Sequence, residues 1–199
     1  VKKVVESGVP TYGINTGFGQ LSTISINKEN TSQLQENLIK SHACGVGKPL
    51  EEVYVRGMLL LRVNALIKGY SGIRYVVIEK MLELLNNNLL PLVYSKGSLG
   101  ASGDLAPLSH MALPLIGLGE VTYKGKIYPS HIGLEKAGIK ALDGLVAKEG
   151  LALINGTQAI TSIAAVTMYH ALNIFNLSVH TLGITMEALK GIKDVFDDE

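Results

Sequence analysis

The chain has 199 residues, of which 47% are hydrophobic and 18% are charged. Soluble domains carry about 25% charged residues on average, so this composition favours a large buried core and excludes a disordered chain. The 18 Lys and Arg residues nearly balance the 17 Asp and Glu residues, and no segment concentrates the basic ones. We therefore expect no nucleic-acid partner.

One cysteine, Cys44, excludes an intrachain disulfide and indicates a reducing compartment, so we expect a cytoplasmic protein. The longest apolar runs are interrupted, residues 58–67 by Arg62 and residues 111–118 by Pro114. No uninterrupted run therefore reaches the roughly 18 residues of a membrane-spanning helix. We predict that the chain does not enter a membrane.

Both ends of the sequence look cut. Val1 stands where an initiator methionine would be, and the last residues, Asp197-Asp198-Glu199, close no predicted element. We expect the chain to be a fragment, truncated at both ends, of a longer protein.

Glycine spacing and apolar periodicity predict the elements of the first half. Residues 11–22 (TYGINTGFGQLS) predict a loop, because their glycines are too close together for a regular element. A helical apolar period predicts a helix over residues 51–68. A second helix is predicted from a cap at Ser71 to the asparagines at 86–88, followed by a glycine-rich loop at 94–103.

The second half is predicted to be mostly helical. Asp104 is a candidate N-cap for a helix through His110 toward Ile116. Residues 121–128 alternate around Lys-Gly and predict a small β-hairpin. Residues 158–180 are small or apolar and predict a helix buried on most faces, as in a bundle. The fold class is therefore mainly α, a helical domain with one small hairpin.

Common catalytic and binding motifs fail on inspection. A nucleophile elbow needs glycine where Asp104 stands, and a phosphate loop needs Ser or Thr where Pro49 stands. A dinucleotide fingerprint needs its third glycine where Ser22 stands. The five histidines show no metal-binding spacing, so we expect neither a metal nor a nucleotide.

The segment Ala101-Ser102-Gly103 offers a different chemistry. Glycine at the third position has a backbone nitrogen unhindered by Cβ, which can attack the Ala101 carbonyl and close a five-membered ring with loss of water. Loss of the Ser102 hydroxyl as a second water would leave an exocyclic methylene on the ring. That methylene is an electrophile, a function that no ordinary side chain supplies.

Three ordered motifs carry a family resemblance. Residues 97–110 (GSLGASGDLAPLSH) resemble the signature of the aromatic amino acid ammonia-lyases, whose Ala-Ser-Gly cyclises into 4-methylideneimidazol-5-one (MIO). Residues 12–19 (YGINTGFG) look like the tyrosine loop of that family, and residues 153–157 (LINGT) look like its asparagine motif. The resemblance covers nearly the whole chain, and family members continue beyond residue 199.

The resemblance implies a fold, a domain organisation and a set of site residues. Residues 1–199 would form part of one catalytic domain, the ring-bearing N-terminal part of the aspartase/ammonia-lyase-like helical-bundle fold with the start of its central helical bundle. Tyr12 would remove the β-proton of the substrate, and Asn155 would orient the substrate amine or the ring carbonyl, unless it serves only as a helix C-cap. The supporting residues are Asp104, as a cap or an aid to cyclisation, Gly19 and Leu153.

Substrate choice is indicated by Ser41-His42. The pair resembles the Ser-His of histidine-specific members, where tyrosine-specific members have His-Leu and phenylalanine-specific members Phe-Leu. A polar pair can form hydrogen bonds with the imidazole ring of a substrate. An apolar pair would leave the ring nitrogens without partners, which costs about 1–3 kcal/mol of binding free energy. The resemblance implies that the full-length protein converts L-histidine to trans-urocanate, the first step of histidine degradation. It also implies that the enzyme is a homotetramer and that the fragment alone is inactive.

Alternatives remain open at this stage. A sister lyase or aminomutase of the family would use the same ring on tyrosine or phenylalanine. A second alternative, in a different class, is a non-catalytic helical association module. At the level of single residues, His42 is also compatible with a satisfied core histidine, His110 with a packed helical histidine, and Cys44 with a small buried side chain.

Overall fold

The computed structural model describes residues 1–27, 30–100 and 103–197. The chain divides into two compact units, Val1–Ser162 and Ile163–Glu199. In the described residues the α-helices are α1 (Lys2–Ser7), α2 (Thr31–His42), α3 (Glu52–Leu66), α4 (Tyr75–Asn86), α5 (Leu105–Ala112), α6 (Ser130–Ala137), α7 (Glu149–Ile154) and α8 (Gln158–Ala188). The strands are β1 (Val46–Pro49), β2 (Leu90–Pro91), β3 (Tyr94–Lys96), β4 (Glu120–Tyr123) and β5 (Lys126–Pro129). The chain is mainly α, as predicted.

The core of the first unit lies among its helices. Helix α3 packs on α4, and α2, α5 and α7 pack on one another in pairs. Each of these helices contributes side chains with no solvent exposure or almost none, and they form one continuous apolar cluster. Its largest members include Ile39, Met58, Leu59, Leu66, Met81, Leu84, Leu108 and Met111. The predicted helix at 51–68 is confirmed as α3. Of its predicted apolar stripe, Leu59, Val63 and Leu66 are buried, whereas Ile67 follows the helix and is exposed.

The predicted hairpin is confirmed and belongs to a larger sheet. Strands β4 and β5 pair antiparallel, and Lys124 and Gly125 between them both have positive φ, 49° and 74°. Two left-handed residues in a row are typical of the two-residue turn that matches strand twist. Strand β2 adds a third strand on β4, a pairing that two residues of sequence cannot signal.

A second sheet corrects the loop predicted at 94–103. The first residues of the predicted loop form strand β3 instead. This strand pairs antiparallel with β1, and Lys96 lies opposite Val46. Helices α3 and α4 lie between the two paired strands in sequence, so local composition did not indicate the pairing. Of the described residues in that range, 97–100 and 103 have no regular secondary structure.

Helix α4 begins later than predicted, at Tyr75 rather than near Ser71. Gly72 has φ 70°, which interrupts the helix, and Arg74 takes the N-cap position. Arg74 donates from its backbone N and its Nε to Oε1 of Glu149, at 3.0 and 2.8 Å. Glu149 is fully buried, and this hydrogen bonding raises the pKa of Arg74. A contact between residues 75 positions apart therefore sets the start of α4.

Helix α8 differs from its prediction in burial. Its described buried residues are Ala159 and Ser162, near its start, and many of its later apolar side chains are exposed, Phe175 by 65% among them. The stretch Glu149–Ala188 is long and apolar enough to cross a membrane by length and composition alone. The prediction from sequence considered only uninterrupted apolar runs and did not single out this stretch, which includes Ser, Thr, Asn and His. Core helices of soluble proteins have the same composition.

Glycine at position 150 is required by the crossing of α2 and α7. A Cβ at Gly150 would lie 2.6 Å from the backbone O of Gln35. We expect Gly150→Ala to lower the free energy of unfolding by about 1–3 kcal/mol, because this overlap outweighs the better helix propensity of alanine.

The matched control is Gly183→Ala in α8, where an added Cβ meets no described atom within 4 Å. It should be neutral or raise the free energy of unfolding by up to about 1 kcal/mol. Urea denaturation of both variants measures the difference, and equal stabilities would contradict the close crossing.

Candidate active site

The tyrosine loop is closed by a buried asparagine. Oδ1 of Asn15 accepts a hydrogen bond from the Thr11 backbone N at 2.7 Å, and its Nδ2 donates to the Val9 O at 3.0 Å. The Tyr12 side chain is 53% exposed and meets the Phe18 ring edge-to-face at 5.9 Å. The phenol therefore projects from a held loop. The prediction of site residues omitted Asn15, although it lies inside the motif.

The same loop packs on helix α7. Gly13 has φ 74°, and a Cβ there would lie 2.4 Å from Cδ2 of Leu151. Gly19 has φ 56° and begins a short 3-10 helix, Gly19–Leu21, with open space at its Cβ position. Gly13 is therefore required both for its backbone conformation and for close packing, whereas Gly19 is required for conformation alone.

Ser41 and His42 form the end of α2. Nδ1 of His42 lies 2.8 Å from the Leu38 O and 3.1 Å from Oγ of Ser41, and that Oγ donates to the same carbonyl at 3.0 Å. A carbonyl only accepts, so Nδ1 of His42 bears the hydrogen and Nε2 of the neutral ring is an acceptor. His42 is half-buried, and Cys44, expected to be buried, is exposed.

The segment after His42 is attached to α5 through His110. The Gly45 backbone N donates to Nε2 of His110 at 3.0 Å, and the His110 ring meets Tyr94 edge-to-face at 5.1 Å. Burial lowers the pKa of His110, against a smaller opposing effect of Glu120. Burial and a 3.2 Å hydrogen bond from Tyr94 to Glu120 raise the pKa of Tyr94. His110 is a packed helical histidine, as expected, and it is also a hydrogen-bond acceptor.

Ala101 and Ser102 lie outside the described residues, but both ends of their segment are described. The Gly103 N donates to the Gly100 O at 2.7 Å, and the Gly103 O accepts from the Leu99 N at 3.1 Å. A Cβ on Gly103 would lie 2.7 Å from the Gly100 O and 2.9 Å from Cβ of Leu99. Only glycine fits at the end of this closed turn.

Asp104 is fully buried at the N-cap position of α5, but its carboxylate does not cap that helix. Oδ2 accepts from the Ile160 N in the first turn of α8 at 2.8 Å, and Oδ1 accepts from Oγ of Ser98. The prediction of a cap on its own helix is therefore corrected. The third helical residue of α5 is Pro107, which has no N–H for a cap to bind.

Asn155 occupies the C-cap position of α7 with an extended backbone, φ −88° and ψ 103°, and its side chain is exposed. Leu153, two residues earlier, is fully buried. The Asn155 O accepts from Nη2 of Arg62 at 2.9 Å, and Nη1 of Arg62 donates to Oε1 of Gln158 at 2.7 Å. Nη2 also contacts the Ala152 O.

Arg62 was predicted only as an interruption of an apolar run. It is 4% exposed, and burial lowers its pKa to about 10. Its recorded hydrogen-bond partners are neutral oxygens at the end of α7 and the start of α8, so it holds the connection that carries Asn155. A charged residue within an apolar helix was the only sequence signal for this role.

The helices that carry the motifs pack together. Ser41-His42 ends α2, Gly103-Asp104 precedes α5, and Asn155 ends α7, and these helices contact one another. Hydrogen bonds recorded for the described residues do not link the side chains of Tyr12, His42 and Asn155 directly. Within residues 1–27, 30–100 and 103–197, no three His, Cys, Asp or Glu residues are grouped as metal ligands.

Comparison with known proteins agrees with this geometry. The family model for aromatic amino acid lyase matches residues 1–199. The chain belongs to the aromatic amino acid lyase family. It is 54% identical over 197 residues to a histidine ammonia-lyase of Alkaliphilus oremlandii, an alignment that covers 99% of this chain and 39% of that protein. The chain thus spans about two fifths of the length of this curated relative.

Solved lyase-family structures share the fold. The crystal structure of histidine ammonia-lyase from Trypanosoma cruzi matches with a TM-score of 0.87 and 39% identity, covering 96% of this chain and 37% of that chain. A tyrosine aminomutase from Streptomyces globisporus matches with a TM-score of 0.79 and 37% identity, covering 86% and 32%. The described part of the chain therefore has the helical lyase fold.

The Asp104 carboxylate should be a major stabilising contact of the first unit. We expect Asp104→Ala to lower the free energy of unfolding by about 3 kcal/mol, because the Ile160 N and the Ser98 hydroxyl lose their acceptor. Asp104→Asn should lose less than half as much, because its amide can still accept from Ile160 and donate to Ser98.

The control for this prediction is Asp143→Ala. Asp143 is 92% exposed and 3.6 Å from Lys140, so its removal should change the free energy of unfolding by less than about 0.5 kcal/mol. Chemical denaturation measures all three variants, and an Asp104→Ala variant as stable as Asp143→Ala would refute the assignment.

Proposed function

We propose that the full-length protein is a carbon–nitrogen lyase that eliminates ammonia from L-histidine and releases trans-urocanate. The observation that carries this proposal is the hydrogen bonding of the His42 ring. Its Nδ1 hydrogen is engaged by the Leu38 O, so Nε2 is left as an acceptor that suits the N–H of a substrate imidazole. Greater identity to a histidine ammonia-lyase than to a tyrosine aminomutase supports the same substrate.

The electrophile is proposed to form from Ala101, Ser102 and Gly103. The described ends of the segment fit this group, because the turn closes tightly between Gly100 and Gly103 and a side chain on Gly103 would overlap its neighbours. When formed, the MIO ring supplies an electrophilic methylene that turns the substrate amine into a better leaving group. No metal or nucleotide enters the proposed reaction.

The remaining site residues bind, orient and move protons. Tyr12 takes the β-proton of the substrate, and its half-exposed phenol is placed by the hydrogen bonds of Asn15. The Asn155 amide orients the amine, with its backbone held by Arg62. Ser41 supports the tautomer of His42, whereas Asp104, Leu153 and Gly19 position the loops.

The organisation of the whole protein completes the proposal. Residues 1–199 are part of one catalytic domain that includes the ring-bearing segment and the start of a central helical bundle. The full-length protein works as a cytoplasmic homotetramer. The exposed apolar side chains of the second unit are consistent with burial against further protein.

Ring formation is tested by mass. We expect the peptide that contains residues 97–110 of the full-length protein to be lighter than its sequence by two water molecules. Ser102→Ala removes the hydroxyl and should prevent loss of the second water and abolish urocanate formation, while thermal unfolding stays near that of the parent. An unmodified peptide from the unsubstituted full-length protein would refute the lyase proposal.

Substrate choice is tested at His42. We expect His42→Leu to lower kcat/KM for L-histidine by about 10- to 100-fold. The N–H of the substrate imidazole would lose its hydrogen-bond acceptor, which costs about 1–3 kcal/mol. Cys44→Ser is the control, since Cys44 is exposed two residues away and takes no part in the proposed site. Urocanate absorbance measures both variants. Preference of the unsubstituted enzyme for tyrosine or phenylalanine would instead favour a sister lyase or aminomutase.

A further inference from the structure

We propose that His110 is a positioning residue that holds the segment after Ser41-His42 against helix α5 and thereby fixes His42 for binding the substrate ring. The inference rests on the function proposed above. His110 itself does not touch the substrate in this proposal. It acts through the backbone of Gly45, to which it is hydrogen-bonded.

The contact between Gly45 and His110 is close on every recorded side. Besides the 3.0 Å hydrogen bond, a Cβ on Gly45 would lie 3.1 Å from Cδ2 and Nε2 of His110 and 3.3 Å from the Lys96 O. A Cβ added at Gly97, in the loop that leads to the ring segment, would lie 3.3 Å from the Gly45 Cα. The backbone at Gly45 is therefore confined between α5 and that loop.

The bond needs a neutral histidine with a defined tautomer. Nε2 of His110 accepts from a backbone N–H, so this nitrogen has no hydrogen and Nδ1 bears it. Burial favours the uncharged ring. The edge-to-face contact with Tyr94, which is itself hydrogen-bonded to Glu120, holds the ring plane. The acceptor is thus both available and oriented.

A shift at Gly45 would reach His42 because the chain between them is short and internally bonded. The Cys44 N donates to the His42 O at 2.8 Å, and the Ala43 N donates to the Ile39 O at 3.0 Å. The first of these bonds closes a tight turn over residues 42–44 directly after α2, and Gly45 is the next residue. Releasing Gly45 from α5 would therefore loosen the half-buried His42 ring that the proposed site uses.

The test compares His110→Phe with His110→Gln in the full-length protein. Phe keeps a ring against Tyr94 but has no acceptor, whereas the Oε1 of Gln can accept from the Gly45 N. We expect His110→Phe to raise KM for L-histidine about tenfold with kcat within about twofold, because binding of the substrate ring is weakened uniformly. His110→Gln should restore KM to within about threefold of the parent.

Hydrogen exchange provides a readout that does not depend on activity. The Gly45 amide should be protected in the parent and in His110→Gln, and should exchange at least tenfold faster in His110→Phe. Equal protection and equal KM in the Phe and Gln variants would overturn the proposal. If the parent acts on tyrosine or phenylalanine rather than histidine, the proposed substrate fails, and the same ratios measured with that substrate still decide the role of His110.

A second variant covers failure of His110→Phe to fold. Gly45→Ala puts a Cβ against the His110 ring and should push the segment away from α5, with the same rise in KM at nearly constant kcat. The control is Gly138→Asn, far along the chain in a left-handed C-cap with open space, where Asn tolerates the conformation. A folded Gly45→Ala enzyme with parental KM would overturn the proposal.

Discussion

The buried carboxylate of Asp104 is a contact on which the first unit depends, because it ties three segments together. An ionised carboxylate can be buried only when its oxygens are hydrogen-bonded, and Asp104 meets this requirement with the Ser98 hydroxyl and the Ile160 amide. The second partner lies in the first turn of α8, where the helix dipole favours negative charge. One side chain thus joins Ser98 in the glycine-rich loop, the start of α5 and the start of α8.

Arg62, which has the opposite charge to Asp104, binds the C-terminal end of α7, the helix that precedes α8. Its guanidinium binds the carbonyls of Ala152 and Asn155, at the C-terminal end of α7 where the helix dipole favours a cation. Residues 155–157, which connect α7 to α8, are therefore held by a buried cation on one side and by the Asp104 anion on the other. Each charge binds backbone groups at a helix terminus as well as one polar side chain, so the position of Asn155 depends on two helix termini rather than on a surface turn.

Much of the fold could be predicted because local rules decide it. Apolar periodicity placed α3, and the Lys124-Gly125 pair placed the hairpin turn. The start of α4 could not be placed, because it depends on Arg74 and the distant Glu149, and the pairing of β1 with β3 is equally non-local. The composition of α8 indicates an apolar environment for the helix, but composition does not say which part of a protein supplies that environment.

The candidate site divides in the same way. Its motifs are contiguous, so sequence alone placed Tyr12, the Ala-Ser-Gly segment and Asn155 in a family context. The residues that hold those motifs act over long separations in sequence. Arg62 belongs to no motif and contacts Asn155 across 93 positions, and His110, the last residue of the signature segment 97–110, contacts Gly45 across 65 positions. Asp104 is an intermediate case. Pro107 has no N–H, which left only the Ala106 N for a cap by the carboxylate on its own helix.

The chain has 22 glycines, and several of them allow close packing rather than backbone flexibility. A Cβ would come within 2.4 Å of Leu151 at Gly13, within 2.6 Å of Gln35 at Gly150 and within 2.7 Å of Gly100 at Gly103. At these positions the absence of a side chain lets backbone pack directly on neighbouring atoms. The electrophile that we propose for residues 101–103 would depend on such packing, because Ala, Ser and Gly offer no long side chain with which to anchor the segment. Glycine here therefore makes the site close-packed rather than mobile.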